Sequence, residues 1–251
     1  LPSDIRLLID TKRITHRLFS QIPDHCRKIF GVSVLTQLKA IKNDTELSNL
    51  RQVMARDGVA LTRFFKWLEE ALQRRETYTE HELDIYLNGY RAKGKNFYGD
   101  SFATICGYKG NGAIVHYRAP EKGCATVRSE GILLLDSGGQ YLDGTTDITR
   151  TIALSTPNDE VRTDYTLVLK GHIQIALAKY PEGTRGSQLD ILARKALWDR
   201  GLNYGHGTGH GVGYFLNVHE GPQNIRTEVN PTELEIGMIT SNEPGIYRSG
   251  K

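Results

Sequence analysis

The sequence predicts an α+β fold, because segments with helical periodicity and segments with strand character come in groups and the grouping occurs twice. Two long amphipathic stretches are followed by several short apolar runs. The same helix, helix, strands order then repeats in the second half of the chain. A third observation supports it: acidic residues and glycines gather at the ends of the apolar runs, where strands give way to turns.

Residues 1–40 hold two short apolar runs, 6–9 and 29–35, with no long period, and read as the tail of an earlier unit plus a linker. Asn43 followed by Glu46 is a capping-box signature that opens a helix with Leu47, Leu50, Val53 and Met54 on one face. Gly58 is expected to interrupt it before Leu61, Phe64, Phe65, Leu68 and Leu72 resume the stripe. Thr79 with Glu82 caps a second helix carrying Leu83, Tyr86, Leu87 and Tyr90. Strands are predicted over 102–106, 113–117, 132–136 and 147–154, with turn chemistry from 137 to 146. Thr156, Pro157 and Asp159 start a helix running to about Tyr180. Ser187 with Asp190 starts another that Gly201 ends. Strand-like segments return at 213–218 and 237–240.

The chain of 251 residues is 39% hydrophobic and 24% charged, the composition of an ordinary globular protein with material for a core. Its net charge of +3 comes from scattered Lys and Arg, so a nucleic-acid partner is not indicated. Three widely spaced cysteines exclude a Cys-x-x-Cys metal site and argue against a disulfide framework, which favours a reducing, cytoplasmic setting. No apolar run approaches membrane-spanning length and no signal-peptide pattern opens the chain, so no membrane partner is expected.

Four of the eight histidines stand in unusual places: His116 after an apolar run, and His206, His210 and His219 within fourteen residues. The stretch 205–223 reads GHGTGHGVGYFLNVHEGPQ, whose glycines allow close backbone approach and disfavour an amphipathic helix. Asp136 ends the run Ile132-Leu133-Leu134-Leu135, and Asp147 opens Ile148-Thr149-Arg150-Thr151-Ile152. A carboxylate at the end of a buried strand costs several kcal/mol, roughly, unless it is paired or binds a metal. Asp143, before Gly144, is an ordinary turn residue by contrast. Glu243 follows Met238 and Ile239 and repeats the theme of an acid leaving a buried strand, although Glu-Pro-Gly alone is a common turn. Two Asp, one His and one Glu form a hard, oxygen-rich donor set suited to Mn²⁺ and similar ions. The excess of carboxylates suggests two cations, about 3.5–4 Å apart, activating a bridging water for hydrolysis. Which bond is cleaved does not follow from these residues.

The order Asp136, Asp147, His210, Glu243, with spacings of 11, 63 and 33 residues, resembles the pita-bread metallopeptidases: methionine aminopeptidase, prolidase and aminopeptidase P. Segments 133–151 (LLLDSGGQYLDGTTDITRT), 205–223, 113–117 (AIVHY) and 242–247 (NEPGIY) are most similar to the three-domain, cytosolic-type Xaa-Pro aminopeptidases. The resemblance covers about 41–251 and implies a duplicated pita-bread fold, with residues 1–40 closing a preceding ribonuclease-H-like domain. It implies that Asp136 serves one metal, Asp147 bridges, and His210 with Glu243 serves the other, Glu243 also guiding a proton. His116, His206 and His219 match the family's accessory histidines, which hold the substrate carbonyl and assist proton transfer. The implied cofactor is a pair of divalent ions, Mn²⁺ first, with Zn²⁺ or Co²⁺ as alternatives. The implied substrate is a peptide with proline in second position, and the implied assembly is a homodimer. A fifth ligand, a Glu on a strand returning after Asn-Glu-Pro-Gly, falls outside these residues, so the resemblance implies C-terminal truncation, and a chain of this extent is expected to hold at most one metal, weakly. Prolidase and a metal-free binding module are the alternative readings.

Overall fold

The computed structural model describes residues 2 and 4–250. The chain begins with β1 (Arg6–Ile9), α1 (His16–Ser20), β2 (Arg27–Phe30) and α2 (Val34–Ala40), in which β1 and β2 pair in parallel as a two-stranded sheet. Two helices follow: α3 (Asp44–Gln73) and, after the short β3 (Tyr78–Thr79), α4 (Glu80–Arg91). The strands come next: β4 (Phe97–Asp100), β5 (Ile105–Tyr108), β6 (Thr126–Val127), β7 (Ile132–Ser137), β8 (Gly139–Tyr141), β9 (Gly144–Thr145) and β10 (Ile148–Ala153). The second round has α5 (Asp159–Leu177), α6 (Gly186–Trp198), β11 (Gly209–Gly211) and β12 (Glu220–Ile225). Helix pair then strands occurs twice, as the sequence predicts.

Asn43 caps α3 by accepting from the Glu46 amide while Glu46 returns the bond to the Asn43 amide, at 3.0 and 2.9 Å. Thr79 and Glu82 repeat this device on α4. Gly58 does not interrupt α3. A mid-helix glycine costs only about 1 kcal/mol, whereas each of Leu61, Phe64 and Leu68, buried beyond it, contributes about 1.5–3 kcal/mol. The stripe therefore carries the helix through. Asn158, rather than Thr156, caps α5 by accepting from the Val161 amide at 2.9 Å. Arg185, not Ser187, precedes α6, and the left-handed Gly201 follows it.

The main sheet has the order β10-β7-β5, antiparallel throughout. Period-two alternation on β7 turns Leu133 and Leu135 into the core beneath α3 and α4, where they meet Phe64, Leu68, Leu83 and Leu87. The opposite face of β7 carries Asp136, which stands across from Thr149 of β10. Asp147, one residue before the core-facing Ile148, lies on that same face. Burial of the leucines thus decides where the carboxylates point.

Three predicted strands are not strands. Residues 113–117 are a 3₁₀ turn and loop, because the Ile114 amide bonds Asn111 and the Tyr117 amide bonds Ile114. Among the described residues no strand pairs with them, so the β propensity of Ile114 and Val115 finds no partner. Residues 213–218 form a loop closed by Gly213 N–H to Asn217 O, with the true strands on either side. Residues 237–240 make only isolated bridges, Met238 to Ile41 and Thr240 to Gly211.

A buried ion pair bolts the first helix pair to the sheet connection. Asp57 of α3, fully buried, accepts from Arg91 Nε and Nη2 at 2.7 and 3.2 Å, Tyr141 Oη at 3.0 Å and Thr146 Oγ1 at 2.6 Å. Thr146 immediately precedes Asp147. Replacing Asp57 with Ala strands a buried guanidinium and is expected to lower unfolding stability by about 3–5 kcal/mol in urea titrations. Replacing Asp57 and Arg91 together by Leu and Met is expected to cost less than Asp57→Ala alone.

Candidate metal centre

His210 sits at the middle of β11 between Gly209 and Gly211. On one side its strand pairs with β12, His210 opposite Asn224. On the other, the extended segment 240–243 runs alongside. The Ser241 amide donates to His210 O at 2.8 Å, the Glu243 amide to Thr208 O at 2.7 Å, and the His210 amide to Ser241 Oγ at 2.9 Å. This pairing brings Glu243 next to His210. The glycines are required by crowding: a Cβ on Gly209 would stand 2.1 Å from Ser241 O, and one on Gly211 2.3 Å from Glu220 O. The Gly-rich motif is therefore the middle of three close backbones.

His210 Nδ1 lies 2.8 Å from Gly211 O, a contact that requires Nδ1 to carry hydrogen. Its Nε2 then faces two carboxylates, Glu243 Oε1 at 2.9 Å and Asp147 Oδ2 at 3.2 Å. These contacts are close in distance but poor in angle: His210 Nε2 and Glu243 Oε1 are buried without an acceptable hydrogen bond. Asp136 Oδ1 accepts from Thr149 Oγ1 at 2.7 Å. Burial, then the charges of Asp147 and Glu243, push Asp136 up to about 6 despite that bond. Burial opposes the charged form of His210, yet Asp147 and Glu243 outweigh it and push the imidazole up to about 10. Burial also works against the ionised Glu243, but the nearby His210 and Ser241 hold its carboxyl below the usual range.

His219 packs edge-on to His210 with ring centroids 4.2 Å apart. Among the described residues, Asp147, His210 and His219 each place one ligand atom within 4.8 Å of the others. Burial and the neighbouring His210 hold His219 below the ordinary imidazole range, and the charge of His116 acts in the same direction. His116 thus lies within electrostatic reach of His219, on an exposed loop and with φ of 59°. His206 Nδ1 lies 2.8 Å from Gly207 O and its Nε2 is 2.7 Å from Tyr247 Oη. The structure therefore brings Asp136, Asp147, His210 and Glu243 together, with His116, His206 and His219 around them.

Tyr247 is a site residue that the sequence reading quoted within its motif but did not single out. Burial, Asp136 and Glu243 push its hydroxyl up to about 12, which keeps it a donor to His206. Its only sequence signal is its place four residues after Glu243. Arg194 and Asp190 on α6 were likewise not singled out for the site. Arg194 donates to the carbonyls of Tyr204 at 2.7 Å and His206 at 2.8 Å, while Asp190 holds Arg194 Nε at 2.6 Å and Thr208 Oγ1 at 2.5 Å. Nothing in sequence spacing links them to residues 10 to 18 positions away.

The donor set fits hard divalent ions. It offers three carboxylates and one imidazole in a half-buried cleft, and it leaves His210 Nε2 and Glu243 Oε1 unsatisfied by the protein. A cavity of about 420 Å³ adjoins Asp147, between Leu50 and Met54 of α3 and Ser241.

A family model described as Metallopeptidase family M24 matches residues 48–251. A "Probable Xaa-Pro aminopeptidase P" of Laccaria bicolor is 51% identical over 221 residues, covering 87% of this chain and 34% of the relative. The chain spans about a third of the length of the curated relatives it matches. Among solved structures, the X-prolyl aminopeptidase of Caenorhabditis elegans, described as a cytosolic enzyme with a di-nuclear active site, is 42% identical with a TM-score of 0.87. That match covers 92% of this chain and 38% of the nematode chain. An Xaa-Pro dipeptidase of Bacillus anthracis is 27% identical with a TM-score of 0.81, over 98% of this chain and 66% of that one.

The backbone crowding at β11 generates its own expectation. Gly209→Ala forces β11 away from residues 241–243 and is expected to destabilise the protein by about 1–3 kcal/mol. Gly205→Ala, where nothing stands within 4 Å of the added carbon, is expected to change thermal unfolding far less. Equal shifts for both would show that close strand approach is not what selects glycine here.

Proposed function

The chain belongs to metallopeptidase family M24, and on that premise we propose that it carries the catalytic unit of an aminopeptidase that releases an N-terminal residue preceding proline. One observation carries the chemistry: buried donor atoms of His210 and Glu243, beside Asp147 and Asp136, converge without satisfying each other. Such a constellation suits cations better than internal hydrogen bonds. The relatives favour Xaa-Pro aminopeptidase over dipeptidase, since proteins with the first name are 51% and 42% identical and the dipeptidase only 27%.

In this reading Asp136 would help hold one divalent ion, His210 and Glu243 another, and Asp147 would serve both. Mn²⁺ is the proposed metal, in keeping with the oxygen-rich donors. The chemistry that two such ions supply when bound is Lewis acidity toward water and toward a peptide carbonyl. The protein's own groups do the rest. Glu243 offers a carboxylate oxygen to receive the proton released by the attacking water. His116 and His219 line the cleft where the scissile carbonyl would lie and donate to its oxygen as negative charge develops. The proton taken up by Glu243 is passed on to the departing nitrogen of proline, and His206, whose Nε2 accepts from Tyr247 Oη, assists that transfer.

We also assign 41–251 to the catalytic unit and 1–40 to the end of a preceding one. The β1–β2 pair forms a sheet of its own, and Ile41, bridged to Met238, marks the join. A cytosolic setting is proposed by likeness to the nematode enzyme, which is described as cytosolic.

The deciding assay compares Xaa-Pro-Xaa tripeptides with Xaa-Pro dipeptides on the Mn²⁺-loaded full-length protein. Faster cleavage of tripeptides is expected, and a preference for dipeptides would move the assignment to prolidase. Site variants separate ligands from helpers. Asp147→Asn is expected to lose metal and activity together. His206→Ala is expected to keep its metal while turnover falls about 10²–10⁴-fold. Equal metal loss in both variants, measured by elemental analysis, would refute this division of roles.

A further inference from the structure

Glu80, the first residue of α4, is fully buried, yet its carboxylate is placed against one loop rather than against any site group. It accepts from Tyr108 N–H at 2.7 Å, Ala125 N–H at 3.0 Å, Tyr117 Oη at 2.8 Å and Asn111 Nδ2 at 3.0 and 3.2 Å. Its own amide donates to Ala125 O at 3.0 Å. Tyr108 begins the loop and Ala125 ends it, so one carboxyl group holds both ends and the middle. These partners are backbone amides, an amide side chain and a phenol, all neutral, and the N-terminus of α4 supplies the compensating partial charge.

His116 lies inside this loop, in the left-handed region at φ 59°. A residue with a Cβ stays in that region only where its surroundings over-determine it. Here the determinants are visible. The Ile114 amide bonds Asn111 O at 3.1 Å, the Tyr117 amide bonds Ile114 O at 3.0 Å, and Asn111 Nδ2 donates to Tyr117 Oη at 3.1 Å. Asn111 and Tyr117 are both fastened to Glu80, so the turn between them is closed on the carboxylate. Ile114 and Val115 are about half exposed and give it little packing. Burial and the bond to Glu80 push the Tyr117 hydroxyl far above its usual range, which keeps it a donor.

We propose that Glu80 is a positioning residue for His116, acting through Tyr117 and Asn111 to hold the imidazole at the cleft. The proposal rests on the reading of His116 as a substrate-side histidine. A carboxylate that only stapled a loop would affect stability alone; one that aims a histidine affects turnover through that histidine.

The test is a double-mutant cycle in the full-length, metal-loaded enzyme. Tyr117→Phe keeps the ring and removes one bond. It is expected to lower kcat roughly tenfold to a hundredfold, the range for a small misplacement of a reacting group, with metal content unchanged. Glu80→Gln is expected to shift kcat further in the same direction. In a His116→Ala background, Tyr117→Phe is expected to have no added effect. An equal loss in both backgrounds, or no loss in either, overturns the proposal. Histidine ¹⁵N spectra of Tyr117→Phe supply a readout independent of activity. His116 signals are expected to shift and broaden while those of His206 stay, and unmoved His116 signals also overturn the proposal. Full activity in His116→Ala alone would instead sink the underlying reading of His116, while the spectra would still judge the anchor.

Discussion

Three carboxylates and an imidazole gathered in one half-buried cleft repel, compete for protons and cost free energy. That electrostatic cost is the constraint on which the rest of the molecule depends. Its trace is visible at Asp136, pushed up to about 6 by burial and by Asp147 and Glu243. It is visible again at His210, pushed up to about 10 by the acids facing it. Left alone, such groups would turn away from each other or draw in water. Cations relieve the repulsion by replacing protons as the shared positive charge.

The backbone prevents the groups from turning away. Asp136 and Asp147 stand on one face of a β pair whose other face buries Leu133, Leu135 and Ile148. Rotating either strand to release an acid would expose those side chains, at about 1.5–3 kcal/mol each. His210 and Glu243 are fixed by a different device, direct backbone pairing across glycines. The apolar core and the crowded glycines thus hold what electrostatics would disperse.

Away from the cleft, buried polar clusters hold the backbone on which the site residues stand. Asp57 with Arg91 grips Thr146, one residue before Asp147. Asp190 with Arg194 grips Thr208 and the carbonyl of His206. Glu80 grips the loop of His116. In each case a buried carboxylate is satisfied by donors from a segment that carries a site residue. Such clusters are costly when incomplete, so they tie the positions of loop residues to the integrity of the helices.

Much of this was legible in the chain itself. The capping boxes at Asn43 and Thr79, the strands around Asp136 and Asp147, and the twice-repeated order of helices and strands follow from local patterns that physics enforces within a few residues. So does the exclusion of a helix from 205–223. Local patterns also marked the acids and histidines as misplaced for packing. What they could not decide was partnership. Residues 113–117 and 213–218 have strand-forming side chains but no strand beside them, and whether a neighbour exists is settled only when distant segments meet. Tyr247, Glu80, Asp190 and Arg194 are not marked by local pattern for the same reason: their importance lies in what they touch 10 to 45 residues away in the chain. The sequence by itself determined the helices, the strands beside Asp136 and Asp147, and the chemical types gathered at their ends. Only the tertiary structure decided which acids face which histidine, because that choice is made by burial of the opposite strand face and by close approach of backbones far apart in the chain.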